Sequence, residues 1–394
     1  MSKIAFFCIP AHGHTNPTLE VVKELIRLGH EVRYYSYDMM KEKIETTGAV
    51  FISCDRYDCQ EQLSPKDGKR IATDIDFAVE VLVNSTLAMD EALLEDMKAW
   101  QPDCIVADSM ALWGKLIALK LDIPFVSSTT TFAFNQYSSK IMKQSIWGLI
   151  KVLFQMSKAK RHIKKLQEKG YPVRNVLDII QNDNETNTIV YTSPEFQPCS
   201  ETFSDKYSFV GPSIAKLDYE VARDDVKTVY ISLGTVNNQM MPFYLNCIEA
   251  FKDSEMKVIM SVGNTVDLSA FKGISSNIEI FASVNQIEIL QRADVFITHC
   301  GMNSVNEALY YQVPLVMFPQ TNEQKGVAYR VNELGAGVYL KSNTVTSIRN
   351  AVEEVIRSSV YKKNVKTIAE SFYKCGGSLE AAEKIIMAIE TATN

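Results

Sequence analysis

The chain has 394 residues, 46% hydrophobic and 22% charged, with a net charge of −6. That length exceeds what one hydrophobic core usually organises, so two domains are expected. The acidic balance argues against nucleic acid as a general partner, since phosphate binding wants a basic surface. Eight cysteines without a CxxC pair or metal-ligand spacing read as reduced thiols of a cytoplasmic protein rather than as a disulfide framework. No cleavage site follows the first apolar run, and no run approaches the roughly 20 apolar residues of a membrane span, so neither a signal peptide nor stable membrane insertion is expected.

The first forty residues read as a β-α-β unit. "IAFFCI" at 4–9 is a near-continuous apolar run, the pattern of a parallel strand buried on both faces. Asn16 and Pro17 look like the N-cap and first residue of a helix, with Leu19, Val22, Leu25 and Ile26 at helical spacing and Gly29 as its stop. "EVRYYSY" is a second strand. "CIVAD" at 104–108, a helix near 111–121, "PFVSS" at 124–128 and "NTIVYTS" at 187–193 continue the alternation. The aromatics of "TTTFAFNQYSS" and "SIWGLIKVLF" suggest an apolar pocket in the region 110–190. Near residue 211 the periodicity stops, and "VGPSIAKLDYEVARDD" reads as a linker. Alternation then restarts with "KTVYISLGT", a helix near 241–252, "KVIMSVG", "NIEIFAS", "ADVFITHCG", "PLVMFPQ" and "AGVYL". Both halves therefore read as α/β, doubly wound on mainly parallel sheets, with ligands expected beyond the carboxyl ends of the strands and a cleft between the halves. The expected boundaries are an N-terminal domain over 1–212, a linker over 213–226, a C-terminal domain over 227–375 and a final helix within 376–394. That helix packs on either half; periodicity does not decide.

Two segments invite over-reading. "SKAKRHIKKLQEKG" at 157–170 is basic and fits a membrane-surface helix, but a solvated helix face is the plainer reading in an acidic chain. "DID" at 74–76 matches a D-x-D metal motif, a three-residue match that arises easily by chance.

The sharper chemistry lies in "HCGMNSVNEAL", which runs from a strand into a helix. Gly301 permits close backbone approach, and Asn303 or Ser304 suits the cap position. A helix N-terminus carries an effective charge of about +0.5 and is a natural seat for phosphate. His299 adds a donor there. Glu307, one turn on, suits ribose hydroxyls as the acidic residue of dinucleotide folds does. "SLGT" at 232–235 is a second strand-to-loop turn whose Gly234 and Thr235 bring further donors. Cys300 beside His299 makes no nucleophile by itself and reads as packing.

Taken together, these motifs resemble the UDP-dependent glycosyltransferases of the GT-B fold, which include natural-product, macrolide and flavonoid enzymes. The likeness spans nearly the whole chain and is most specific over 281–326. It implies two Rossmann-like domains facing a central cleft, the first for acceptor and the second for nucleotide sugar. By that match Gln286 lies near the nucleoside and the Val284 backbone near the base edge. His299, Gly301, Asn303, Ser304, Gly234 and Thr235 hold the diphosphate, and Glu307 binds ribose. Glu323 and Gln324 bind the sugar hydroxyls, and a terminal Gln there usually accompanies glucose. "PAHGHTNP" at 10–17 is similar to the family's P-x-x-[GT]-H-x-x-P turn, which makes His14 the catalytic base. Asp108, ending "CIVAD", is its implied partner; His12 has no counterpart in the pattern and is expected to be structural.

The chemistry asks for these types. An acceptor hydroxyl must lose a proton as it attacks the anomeric carbon, and a histidine can take it near neutral pH. A carboxylate on the far ring nitrogen fixes the tautomer and stabilises the imidazolium. The leaving diphosphate is met by the helix N-terminus and His299 without a metal, and no cofactor beyond the nucleotide sugar is needed. Direct displacement inverts the anomeric centre. The resemblance thus implies an inverting transfer, most simply of glucose from UDP-glucose to a hydroxyl of a small lipophilic acceptor, by a monomer or weak dimer. The family's frequent Trp-x-Pro-Gln is Ser283-Val284-Asn285-Gln286 here, so the ring that stacks on uracil is missing, and UDP and TDP sugars both remain open. Three other readings stand beside this one: a lipid glycosyltransferase docked by its basic helix, a nucleotide-sugar epimerase, and a non-catalytic nucleotide-sugar-binding protein.

Overall fold

A computed structural model describes residues 1–57, 67, 70, 74–138, 146–180, 182–223, 225–235 and 238–393. It divides into two compact units, Met1–Ile214 with Cys375–Asn394, and Ala215–Lys374. In the first unit the strands are β1 (Lys3–Phe7), β2 (Glu31–Ser36), β3 (Val50–Ser53), β4 (Cys104–Asp108), β5 (Phe125–Thr129), β6 (Asn187–Val190) and β7 (Tyr207–Phe209). They form one sheet in the order β3-β2-β1-β4-β5-β6-β7, and every pairing is parallel. The helices of this unit are α1 (His12–Arg27), α2 (Lys41–Glu45), α3 (Ile75–Trp100), α4 (Leu112–Leu121), α5 (Ile146–Glu168) and α6 (Leu177–Ile180). The second unit carries β8 (Thr228–Ser232), β9 (Lys257–Ser261), β10 (Ile278–Phe281), β11 (Val295–Thr298), β12 (Leu315–Met317) and β13 (Gly337–Tyr339). Its sheet is also wholly parallel, in the order β10-β9-β8-β11-β12-β13. The helices that accompany it are α7 (Met241–Phe251), α8 (Gln286–Arg292), α9 (Met302–Tyr310), α10 (Asn322–Glu333), α11 (Val345–Arg357) and α12 (Ser359–Tyr373). The last helix, α13 (Gly377–Thr393), falls in the first unit.

Burial explains the apolar runs. β4, β8 and β11 are buried at every position, as parallel strands covered by helices on both faces must be. One core of the first unit joins Val21, Val22 and Leu25 of α1 to Ile4 and Phe6 of β1, Val106 of β4 and Ile385 of α13. In each sheet the strand order reverses once, between β1 and β4 and between β8 and β11. Doubly wound sheets bind ligands at such reversal points, beyond the carboxyl ends of the central strands.

One expected boundary is wrong. Asn16 and Pro17 do not begin α1; Ala11 is the N-cap and Pro17 lies inside the helix. The turn after β1 closes five residues sooner, and Pro17 sits early enough that its missing N–H interrupts only the first turns. His12 and His14 are therefore helical residues of the first turn.

Candidate functional site

In the first unit the reversal point gathers three polar side chains from three strands' ends. α1 begins straight after β1, which places His14 at the carboxyl edge of the sheet. Asp108 ends β4, the neighbouring strand, and its side chain is fully buried. Asp108 Oδ2 lies 2.8 Å from His14 Nδ1, and Asp108 Oδ1 accepts the Met110 backbone N–H at 2.9 Å. The carboxylate is thus fixed at both oxygens. Thr130, just beyond β5, brings its hydroxyl to 3.1 Å from the same Nδ1. Both the carboxylate and the hydroxyl meet the ring at Nδ1, and the imidazole is 21% exposed. A carboxylate on Nδ1 selects the tautomer whose Nε2 is a bare acceptor, the form a general base requires.

His12 faces elsewhere. Its Nδ1 lies 3.3 Å from Lys43 Nζ, and burial followed by the Lys43 charge lowers its pKa. A small cavity beside Asp108 is lined by Ser109, Leu112, Lys115, Phe125 and Asn182, a mixed rather than apolar lining. Of the aromatics expected around a pocket, Phe132 is buried against Phe196, at 5.5 Å between ring centroids. The side chains of Trp147 and Phe154 lie outside the described residues.

The second unit repeats the arrangement with different chemistry. The turns after β8, β10, β11 and β12 all leave the same edge of a parallel sheet, so the motif residues they carry converge by topology. The His299 ring lies against Gly234 and Gly301: a Cβ added to either would come within 2.6 Å of the imidazole. Gly234 also adopts φ 76°, a conformation that disfavours any side chain. Burial pushes the His299 pKa down to about 4, against a smaller opposing effect of the Ser232 carbonyl, so the ring is neutral at physiological pH. Its Nδ1 is buried and no acceptor meets hydrogen-bond geometry there. Asn303 and Ser304 do not cap α9; the turn closes at Gly301, which is the N-cap, and no side chain caps the helix. The first turn of α9 is left as a positive helix end for an anion to approach.

Beneath that helix end lies a connected set. Gln286 accepts the Tyr230 hydroxyl at 3.1 Å and donates to Ser304 Oγ at 3.2 Å and Glu307 Oε2 at 2.5 Å. Burial raises the Glu307 pKa to about 7, and the Gln286 bond partly opposes this. Tyr230 was not singled out by sequence reasoning; its signal is an aromatic with a polar tip in a fully buried strand. Thr235 stands exposed on the β8 turn, and Val284 is half-buried after β10. Ser283 is exposed, as is Phe281, at 41%. Glu323 and Gln324 open α10, where Thr321 and Gln324 form a reciprocal capping box. Gln324 Oε1 accepts the Gln320 and Thr321 backbone N–H groups at 2.8 and 3.1 Å. The T-x-x-Q signature of such a box is present in the sequence as "TNEQ".

The side segments have structural partners. Asp74 caps α3, and Asp76 pairs with Arg161 at 3.0 Å, while Arg161 Nε also donates to His162 Nε2 at 3.1 Å. Lys165 donates to Asn84 at 3.3 Å. So the basic face of α5 is partly spent on α3, and both aspartates of "DID" are engaged. Cys300 is buried, with its thiol pKa raised by burial, and sits at φ 66°; it packs the turn. Among the described residues no helix is long and apolar enough to cross a membrane.

Two doubly wound parallel sheets, with turns at their reversal points carrying these motifs, are the architecture of GT-B glycosyltransferases. Comparison with known proteins agrees. The family model "UDP-glucoronosyl and UDP-glucosyl transferase" matches residues 218–373. The chain is 36% identical over 388 residues to the NDP-glycosyltransferase YjiC of Bacillus subtilis (strain 168), covering 97% of this chain and 96% of that one. It is 33% identical to the uncharacterized UDP-glucosyltransferase YdhE of the same organism, covering 98% of each. The crystal structure of CalG4, the calicheamicin glycosyltransferase, matches with a TM-score of 0.82 at 26% identity, over 99% of this chain and 98% of that one. The chain belongs to the UDP-glucuronosyl and UDP-glucosyl transferase family and is a glycosyltransferase, moving sugar from a nucleotide sugar to an acceptor.

Proposed function

We propose that the protein is an inverting glucosyltransferase that uses UDP-glucose and glycosylates a hydroxyl of a small lipophilic acceptor such as a phenol, flavonoid or macrolide. The observation that carries the mechanism is the 2.8 Å bond between His14 Nδ1 and a fully buried Asp108 carboxylate. His14 Nε2 takes the acceptor proton as the acceptor oxygen bonds to the anomeric carbon. The bond from that carbon to the diphosphate oxygen breaks, and the electron pair leaves with the diphosphate. Asp108 stabilises the imidazolium so formed. The α9 N-terminus, the neutral His299 N–H and the turn at Gly234 and Thr235 meet the charge on the leaving group, and the route requires no metal. Glu307 and Gln286 take the nucleoside end, beside the Val284 backbone, while Glu323 and Gln324 take the sugar.

The donor reading is supported by the family and by one relative's name as a UDP-glucosyltransferase. Another relative is named for nucleoside diphosphates in general, and Ser283 here supplies no ring to stack on a base. We therefore expect the preference for UDP- over TDP-glucose to be shallow, since a stacked aromatic is typically worth about 1–3 kcal/mol. The lipophilic acceptor is favoured by the similarity to a calicheamicin glycosyltransferase.

The test is mass spectrometry of the protein incubated with nucleotide sugars and a panel of phenolic, polyketide and aliphatic alcohols, with the anomer of the product read by NMR. A β-glucoside from an α-linked donor is the expected product. His14→Ala should lower kcat on an aliphatic alcohol by roughly 10²–10⁴-fold, with UDP affinity nearly unchanged. Retention of configuration, or near-normal turnover in His14→Ala, would sink the mechanism.

A further inference from the structure

Asn238 has three fixed neighbours and no part in the mechanism above. It is 2% exposed. Its side-chain amide donates to the Gly234 carbonyl at 3.1 Å, while its Oδ1 accepts the Thr265 hydroxyl at 2.9 Å. The two bonds assign the amide orientation without ambiguity, because a carbonyl must face a donor and a hydroxyl can supply one. Room for the side chain exists because residue 263 is glycine: a Cβ there would overlap the Asn238 amide. Gly263, at φ 88°, is tied in turn through its N–H to the Ala282 carbonyl at 3.0 Å. The Asn238 carbonyl accepts the Met240 N–H at 2.7 Å, and Met240 is the N-cap of α7.

Gly234 is held on its other sides as well. Its N–H donates to Ser232 Oγ at 3.3 Å, and its Cα lies against the His299 ring. The Gly234 backbone is therefore held at its N–H, at its Cα and, through Asn238, at its carbonyl. A glycine turn without such ties samples many conformations and must be ordered when a ligand arrives, a cost that lowers affinity. A tied turn meets the ligand with that cost already met in folding.

We infer that Asn238 is a positioning residue that presets the Gly234 turn for the nucleotide diphosphate, so that it sets donor affinity rather than the rate of sugar transfer. The inference rests on the donor site proposed above. It links the loop after β9, through Thr265 and Gly263, to the loop that receives phosphate after β8.

The test uses the full chain, with UDP as the calorimetric probe and UDP-glucose with a phenolic acceptor for kinetics. Asn238→Ala should weaken UDP about tenfold, the scale of one buried hydrogen bond, and raise the UDP-glucose KM to match. The acceptor KM should stay constant, and kcat at saturating donor should change by far less than the donor KM. Thr265→Val keeps Asn238 but releases one end of its amide, and should weaken UDP about two- to threefold. Both variants will unfold at somewhat lower temperature, which a purely structural role also predicts; the split between donor and acceptor constants is what separates the two. Unchanged UDP affinity in either variant overturns the inference, as do donor KM, acceptor KM and kcat moving together. Should Asn238→Ala fail to fold, Thr265→Val carries the test alone. A wild-type chain that binds neither UDP nor TDP would instead overturn the donor site itself.

Discussion

Burial raises the Glu307 pKa to about 7, so its charge changes near neutral pH. The groups around it do not compete in that range. His299 titrates near 4, Tyr311 near 12, and burial lifts the Tyr230 phenol above its ordinary value. Ribose hydroxyls donate best to an ionised carboxylate, which offers acceptors only. Since burial raises the pKa, the free protein holds a proton on Glu307 below about pH 7 that donor binding must expel. Affinity for UDP should therefore rise with pH through 7 and level off above 8, with roughly a tenfold loss one unit below the midpoint. Calorimetry in buffers of different ionisation enthalpy would show a proton released at pH 6 and little at pH 8.5. Glu307→Gln should bind more weakly at high pH and lose the pH dependence. A flat profile in the wild type would mean that Glu307 does not meet the ribose. The sequence marked Glu307 and Gln286 separately, but the hydrogen bond between them joins positions 21 residues apart and depends on where α8 and α9 begin. The same holds for His14 and Asp108, which are 94 positions apart and are brought together by strand order.

At the scale of elements, helix beginnings decide what each motif can do. Apolar periodicity located strands and helices well, because burial on both faces leaves continuous runs that read the same in sequence and in structure. Helix starts were less legible. Three of them (α1, α9 and α10) differ from the expected cap or engage a side chain expected to be free for ligand. Pro17 and Asn303 are good cap-region residues, but the preceding turns closed earlier, at Ala11 and Gly301, and strand-end geometry outweighed local preference. Gln324 carries the sharpest consequence. Its Oε1 already serves the capping box, so its amide nitrogen is the part left for a sugar hydroxyl. Gln324→Ala should lose both the capping box, about 1 kcal/mol of stability, and the proposed sugar contact. Gln324→Glu keeps an acceptor for the box and places a negative charge at a helix N-terminus, where it is favourable. Its melting temperature should match or exceed the wild type's, yet UDP-glucose should bind about five- to tenfold more weakly while UDP binds as before. Equal binding of UDP-glucose by wild type and Gln324→Glu would leave Gln324 as a cap alone.

Across the whole molecule, alternation of apolar runs and helical periods was enough to read two parallel sheets, whereas periodicity alone left the partner of the final helix open. Its apolar residues recur at helical spacing, which says that one face is buried and not against what. Ala381, Ala382, Ile385, Ala388 and Ile389 of α13 share a core with Val21, Val22 and Leu25 of α1 and with β1 and β4. The Gly377 N–H, donating to the Val210 carbonyl at 2.7 Å, pins the helix where it starts. The chain thus leaves the first unit at Ile214, builds the second, and returns to complete the first core. Burying the two isoleucines alone contributes about 1.5–3 kcal/mol each, and the alanines and the covered face of α1 add to that. Against a typical domain stability of about 5–15 kcal/mol, loss of α13 removes much of the first unit's margin. A chain ending at Lys374 should therefore lose the cooperative transition of the first unit in calorimetry, while a trypsin-resistant fragment spanning the second unit persists. Ile385→Ala should act in the same direction by about 2–5 kcal/mol, lowering one transition only. A truncated chain that melts like the full one would show that α1 and the sheet beneath it stand without the returning helix. A single transition, lowered as a whole by Ile385→Ala, would mean that the two units unfold as one.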